Sequence, residues 1–212
     1  MNINKFNNGG SSFPPMESGT FQAVCVGVVD IGTHTEEWQG KAITRDQLIL
    51  LFDFPTEMIE INGEQKPRCL SLKLTKSQDE KSNMRKHFTS WRGRWFNEEE
   101  LADFHMSKLL GVPATITVVQ KTGNGKTYAN ISSVGKAMKG MEQKASRKIY
   151  FDLMDADTYS AIEDLPDWIV KEINSSAEAI ATKTVFMKGK AAQQVAQMGN
   201  EGCDEGDDCP FE

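Results

Sequence analysis

No apolar run in the sequence approaches the ~18–20 residues that a membrane-spanning helix needs, so no helical anchor is expected. The first 18 residues are polar, rich in Asn, Gly and Ser, and lack the apolar stretch of a secretory signal. Cysteine is scarce. Four residues, at 25, 69, 203 and 209, show no CxxC spacing, which argues against a zinc ribbon or a disulfide scaffold. Cys25 and Cys69 sit in apolar-rich segments and read as small buried hydrophobes in a reducing cytosol, with a Cys203–Cys209 tail disulfide as the alternative. The three histidines, His34, His87 and His105, lie far apart without ligand spacing, so neither a metal nor any other cofactor is expected.

Basic residues are missing from one region. Residues 195–212 hold no Lys or Arg but six acids, whereas residues 1–194 hold 24 basic and 24 acidic groups. The formal net charge of −6 therefore belongs wholly to the tail. A bulk acidic charge argues against nucleic acid; a neutral body with a detachable acidic tail does not. The hydrophobic fraction of 39% allows a real core but leaves part of the chain outside it.

Along the 212 residues, the pattern divides into four parts. Residues 1–18, with Asn-Asn-Gly-Gly-Ser-Ser and Pro-Pro, read as a disordered arm. Residues 19–140 read as one β domain. A first strand, about 20–31, is apolar on both faces: Phe21, Ala23, Cys25 and Val29 on one, Val24, Val26 and Val28 on the other. A polar loop spans 32–41, and a second strand about 47–54. A third strand alternates cleanly, with Leu70, Leu72 and Leu74 on one face and Cys69, Ser71, Lys73 and Thr75 on the other. Ser77 and Glu80 have capping-box spacing ahead of Met84, Phe88 and Trp91 at helical period. A second helix opens at Asn97, with Leu101, Phe104 and Leu109 as its inner face and Gly111 and Pro113 as its stop. Strands at 114–121 and 126–134 flank a Gly-Asn-Gly turn. Three strands, a helical insert, then a hairpin predict a mainly β fold, a five-stranded OB barrel with helices between the third and fourth strands. An SH3-like barrel or a split sheet would share much of this pattern. Residues 141–200 predict short helices, one starting at Pro166 with Asp164 as cap, loosely packed or used as a homo-oligomer contact. Residues 201–212 read as a disordered acidic tail.

The densest chemistry lies between Lys66 and Trp95, where nine basic residues and two acids give a net charge of +7. Arg68, Lys73, Lys76, Arg85, Arg92 and Arg94 are spaced cations, as phosphates need. Trp91 and Trp95 offer flat surfaces for unpaired bases. The alternative is a solvated helix face with the tryptophans in the core. OB barrels bind across the outer face of strands two and three and the loops joining strands one–two and four–five. The first loop carries Trp38 and Lys41; the second carries Lys121 and Lys126, with Tyr128 facing outward beside it. Gly125-Lys126-Thr127 is not a phosphate loop, because Gln120 stands where its first glycine is required. Asp152, Asp155 and Asp157 lack the glycine and closing glutamate of a calcium loop. No paired-carboxylate or Ser/His/Asp spacing marks an enzyme.

Two stretches resemble a known family. The ending Asp207-Asp208-Cys209-Pro210-Phe211 resembles the Asp-Asp-Asp-Ile-Pro-Phe tail of bacterial single-stranded-DNA-binding proteins, although Glu212 follows the phenylalanine here. The segments Phe21-Gln22-Ala23-Val24-Cys25-Val26-Gly27-Val28-Val29-Asp30, Trp91-Arg92-Gly93 and Tyr128-Ala129-Asn130-Ile131 resemble bacteriophage single-stranded-DNA-binding proteins with one OB barrel. The resemblance implies no catalysis. It implies coating of single strands during phage replication, recombination or repair in the host cytoplasm. Replication or recombination proteins would be recruited through Asp207, Asp208, Pro210 and Phe211. Two readings compete with it: an adaptor acting mainly through the tail, and a nuclease using the same basic groove. In a pull-down with and without residues 204–212, loss of a partner on truncation is the expected result.

Overall fold

A computed structural model describes residues 14–61, 63–123, 125–140 and 144–194. Most of the N-terminal arm, and the tail with Cys203, Asp207, Asp208, Cys209, Pro210 and Phe211, lie outside the described residues, as does the side chain of Trp38. The fold is mainly β. Strands β1 (Gly19–Trp38), β2 (Lys41–Ile61), β3 (Glu64–Thr75), β4 (Pro113–Gly123) and β5 (Lys126–Lys136) form antiparallel neighbours in the order β3-β2-β1-β4-β5. A short β6 (Ile149–Phe151) pairs in parallel with β1 at Gly27–Val29. A separate hairpin joins β7 (Thr184–Met187) and β8 (Lys190–Gln194). The two ends of the main path, β3 and β5, approach to within 8 Å between Cα atoms.

The strands run well past the expected ends. The segment read as a polar loop at 32–41 is instead the outer half of a β1–β2 ribbon, paired as far as Trp38 and Lys41. Polar composition marks a ribbon that has left the core, not an unpaired chain. Four hairpins close on two-residue loops whose second residue is Gly40, Gly63, Gly125 or Gly189, all with φ between 71° and 80°. At the first of these Gln39 also has a positive φ, of 52°, so the Gln39–Gly40 loop is a primed turn that matches the twist of the strands.

Both faces of β1 are buried, as its two-sided apolar pattern predicted, and so are both faces of β2, but the faces of β1 are assigned differently. A bulge between Cys25 and Gly27 inserts one residue and reverses the alternation. Val28 therefore joins Ala23 and Cys25 in one core, and Val29 joins Val24 and Val26 in the other. The first core also takes Leu50, Phe52, Leu72, Leu74, Ile116 and Val134. Met16 packs into it at 3% exposure, so residues 14–18 belong to the folded body rather than to a disordered arm.

Helices α1 (Asn83–Arg92) and α2 (Glu98–Ala102) and a 3-10 helix (Met106–Leu109) lie between β3 and β4, as expected. Met84, Phe88 and Trp91 form the buried stripe of α1. Its cap is not Ser77 but Ser82, whose side chain accepts the Arg85 N–H at 3.1 Å. Ser77 closes a preceding turn, its carbonyl accepting from Ser82 Oγ at 2.7 Å. Asn97 caps α2 in a capping box with Glu100. That helix ends at Ala102, well before Gly111, and Leu109 belongs to the 3-10 helix.

The C-terminal region differs most from expectation. Helices α3 (Asp167–Asn174) and α4 (Ala177–Ala181) and strand β7 form a tight layer on the outer face of β1 and β2, which β6 extends at the edge of β1 with Ile149 and Phe151 turned into the same core. Ile169 and Ile173 of α3 are 0% exposed. Pro166 occupies the N-cap of α3, and Asp164 makes no cap. The buried carboxylate of Asp53 ties the layer down, accepting from Ser146 Oγ at 3.1 Å and Arg147 Nη2 at 3.0 Å. Among the described residues, no helix is long and apolar enough to cross a membrane.

Two outcomes follow from this packing. Phe151→Ala should cost about 3–5 kcal/mol in a denaturant titration, the range for a large buried aromatic. Burial pushes the Cys25 thiol up to about 12. Cys25 should therefore resist a thiol reagent in the native protein and react on unfolding, as read by peptide mass spectrometry.

Candidate nucleic-acid interface

Folding neutralises much of the +7 stretch. Lys73 reaches Glu172 of α3 at 3.2 Å. Lys76 bridges Asp30 at 2.7 Å and Asp46 at 2.9 Å. Lys66 pairs with Glu64 at 2.9 Å, and Arg85 with Glu80 at 3.3 Å. Arg68 donates to the Pro14 carbonyl at 2.6 Å. The outer face of strands two and three, expected as the floor of a groove, is covered where Ile49 and Leu51 enter the second core. Lys73 and Lys76 are thus structural links there. Trp91 is not a stacking platform either: it is 6% exposed, and its Nε1 donates to the Pro113 carbonyl at 2.9 Å.

The end of α1 and the start of α2 gather a different set. Gly93 follows Arg92 with φ 93° and donates to the Thr89 carbonyl, which ends the helix and turns the chain. Arg92 and Arg94, on either side of it, converge on Glu100. The Arg94 guanidinium donates to both carboxylate oxygens, at 2.8 and 2.6 Å. Arg92 donates to Oε2 at 2.9 Å and also to Oε1. The same carboxylate accepts the Asn97 N–H at 3.0 Å. Hydrogen bonds from Arg92, then Arg94, hold the Glu100 carboxyl well below the usual carboxylate range.

Aromatic rings back these cations. The Arg92 guanidinium lies 4.5 Å from the Phe96 ring centroid, and Arg85 lies 5.0 Å from that of Trp95. Trp95 contacts Phe96 edge-on, and Phe96 contacts Phe104, so the half-buried rings are anchored through to the core. A guanidinium laid on a ring keeps its edge N–H groups available for an anion.

A second set lies on the β4–β5 ribbon. Lys121 pairs directly with Tyr128 across the strands, and Lys126 follows two residues before Tyr128 on the same face. Among the described residues neither lysine makes an ion pair, and both are exposed. Tyr128 is half-buried on the face opposite Ala129 and Ile131, as its parity predicted. Lys41 is exposed beside the β1–β2 turn, at the far end of β1. Helix α1 packs against β5, so the guanidinium set and the ribbon belong to neighbouring elements.

His105 has partners that spacing did not reveal. Its Nδ1 lies 2.7 Å from Ser107 Oγ, and its Nε2 lies 3.5 Å from the Tyr150 hydroxyl, which donates to Asp152 at 3.2 Å. Nδ1 also faces the Ser107 N–H at 3.4 Å, so the ring caps the 3-10 helix. Among the described residues, no three His, Cys, Asp or Glu side chains are gathered to hold a metal ion. Sequence reasoning missed Glu100 as the shared partner of both arginines. Its capping-box spacing from Asn97 was the available signal.

Neither a protein-family model nor a curated protein matches the chain.

A glutamate with a depressed pKa stabilises the fold fully above its unfolded value, near pH ~4.3, and loses that contribution progressively as pH falls from there to the folded value. The melting-temperature difference between wild type and Glu100→Gln should therefore persist at about pH 4 and shrink only in stronger acid.

Proposed function

We propose that the chain is a non-enzymatic single-stranded-DNA-binding protein built on an OB-type barrel. The observation that carries this reading is the strand order β3-β2-β1-β4-β5 with helices between β3 and β4 and its ends drawn together. That order, with helices between the third and fourth strands, supports a five-stranded, partly open OB barrel. The exposed lysines at 41, 121 and 126 would track phosphates, while Tyr128 and Trp95 would stack on bases at about 1–3 kcal/mol each. In a duplex the base faces are hidden, so the same surface favours single strands. The covered outer face of β2 moves the path toward the β4–β5 ribbon and the α1–α2 junction.

The setting that fits is phage replication, recombination or repair in the cytoplasm of an infected bacterium, with protein partners recruited through Asp207, Asp208, Pro210 and Phe211. One observation favours the adaptor reading: many cations of the basic stretch already have carboxylate partners. DNA affinity would then be modest and the tail dominant.

A fluorescence titration with oligo-dT at two salt concentrations separates these. Quenching, salt-dependent affinity and weak duplex binding are expected; equal affinity for duplex and single strand sinks the proposal. Lys121→Ala with Lys126→Ala should weaken binding and flatten the log–log salt slope by about 0.7 per lost phosphate contact.

A further inference from the structure

We infer that Arg92 and Arg94 form the seat for one phosphate of the bound strand, and that the Glu100 carboxylate fills this seat until the phosphate displaces it. The inference rests on the single-strand-binding reading above and names a regulated subsite within it.

Three features of the junction carry it. First, the ligand chemistry matches. A carboxylate and a phosphodiester each present two oxygens and one negative charge to a guanidinium fork. Glu100 uses both oxygens on both arginines, as a bridging phosphate would. Second, the seat has support independent of its occupant. Arg92 is held over the Phe96 ring, and Gly93 sets the turn that brings Arg94 beside it. Third, the occupant can leave without stranding its charge. Glu100 also accepts the Asn97 N–H, and its side chain is 28% exposed to water. A phosphate entering over Arg94, which is 58% exposed, meets no buried barrier.

With Glu100 seated, two cations and one anion leave the junction with little pull on stray anions. With a phosphate seated, the carboxylate stays on Asn97 and the arginines exchange one oxygen fork for another. The carboxylate therefore lowers the affinity of the site without blocking it.

Oligo-dT titrations of wild type, Glu100→Gln, Glu99→Gln and Arg92→Ala/Arg94→Ala, with Glu100→Gln also placed on the double-alanine background, test this. Glu99 is exposed on the same helix and controls for the loss of one negative charge. Glu100→Gln should tighten binding by about tenfold with the salt slope little changed, because the same phosphate takes the seat without displacing a carboxylate. Glu99→Gln should change affinity by less than about threefold. The gain from Glu100→Gln should vanish when both arginines are alanine. Equal gains from the two glutamine variants, or a gain that survives loss of the arginines, overturns the inference while the functional reading stands. If no variant and no wild-type protein binds oligo-dT, the functional reading itself falls, and the seat with it. Circular dichroism at the titration temperature confirms that each variant is folded, and Arg94→Ala alone, which leaves Arg92 paired to Glu100, should weaken binding if Glu100→Gln proves too unstable to use; unchanged affinity there counts against the seat.

Discussion

Water is excluded from both faces of the β1–β2 pair at once. Ala23, Cys25 and Val28 point into one core and Val24, Val26 and Val29 into the other, none more than 3% exposed. Burial of apolar area on this scale is the dominant favourable contribution to folding. It needs two covers. Helix α1, with β3, β4 and β5, covers the first face; β6, α3, α4 and β7 cover the second. The bulge at Cys25–Gly27 makes the division possible by changing which valines face which core. Gly27 is needed beside it, because a Cβ there would lie 2.7 Å from the Leu51 side chain.

The two-sided burial also decides where charge is free. Once the C-terminal layer lies over β1 and β2, cations at the margin of that face meet carboxylates from the layer and the neighbouring strands. Lys73 meets Glu172, and Lys76 meets Asp30 and Asp46. Surface ion pairs of this sort stabilise little, but they occupy the side chains. Among the described residues, Lys41, Lys121 and Lys126, where strands leave the core as ribbons, make no ion pair and are exposed. The α1–α2 junction sits between these cases. Its two arginines are paired, yet to a single carboxylate that solvent reaches.

The helical period of Met84, Phe88 and Trp91 was readable because one face of a helix repeats regularly, and the alternation of Leu70, Leu72 and Leu74 for the same reason on a strand. The ribbons were not readable: Thr33–Thr35 and Thr44 look like loop, and only cross-strand pairing makes them strand. The spacing of Ser77 and Glu80 matched a capping box, yet Ser82 takes the N-cap and accepts the Arg85 N–H, directly ahead of the buried Met84.

By itself the sequence determined the mainly β architecture, the helices between β3 and β4, the turn glycines and the separation of a neutral body from an acidic tail. These depend on periodicity, glycine conformation and composition, which are local. Tertiary structure alone decided that the valines of β1 divide between two cores, that residues 145–186 cover the outer sheet face, and which of the described cations pair with carboxylates. Those outcomes depend on which residues distant in the chain come within hydrogen-bond range, as Lys73 does with Glu172 and Thr33 with Glu178, and periodicity along one segment carries no record of such distances.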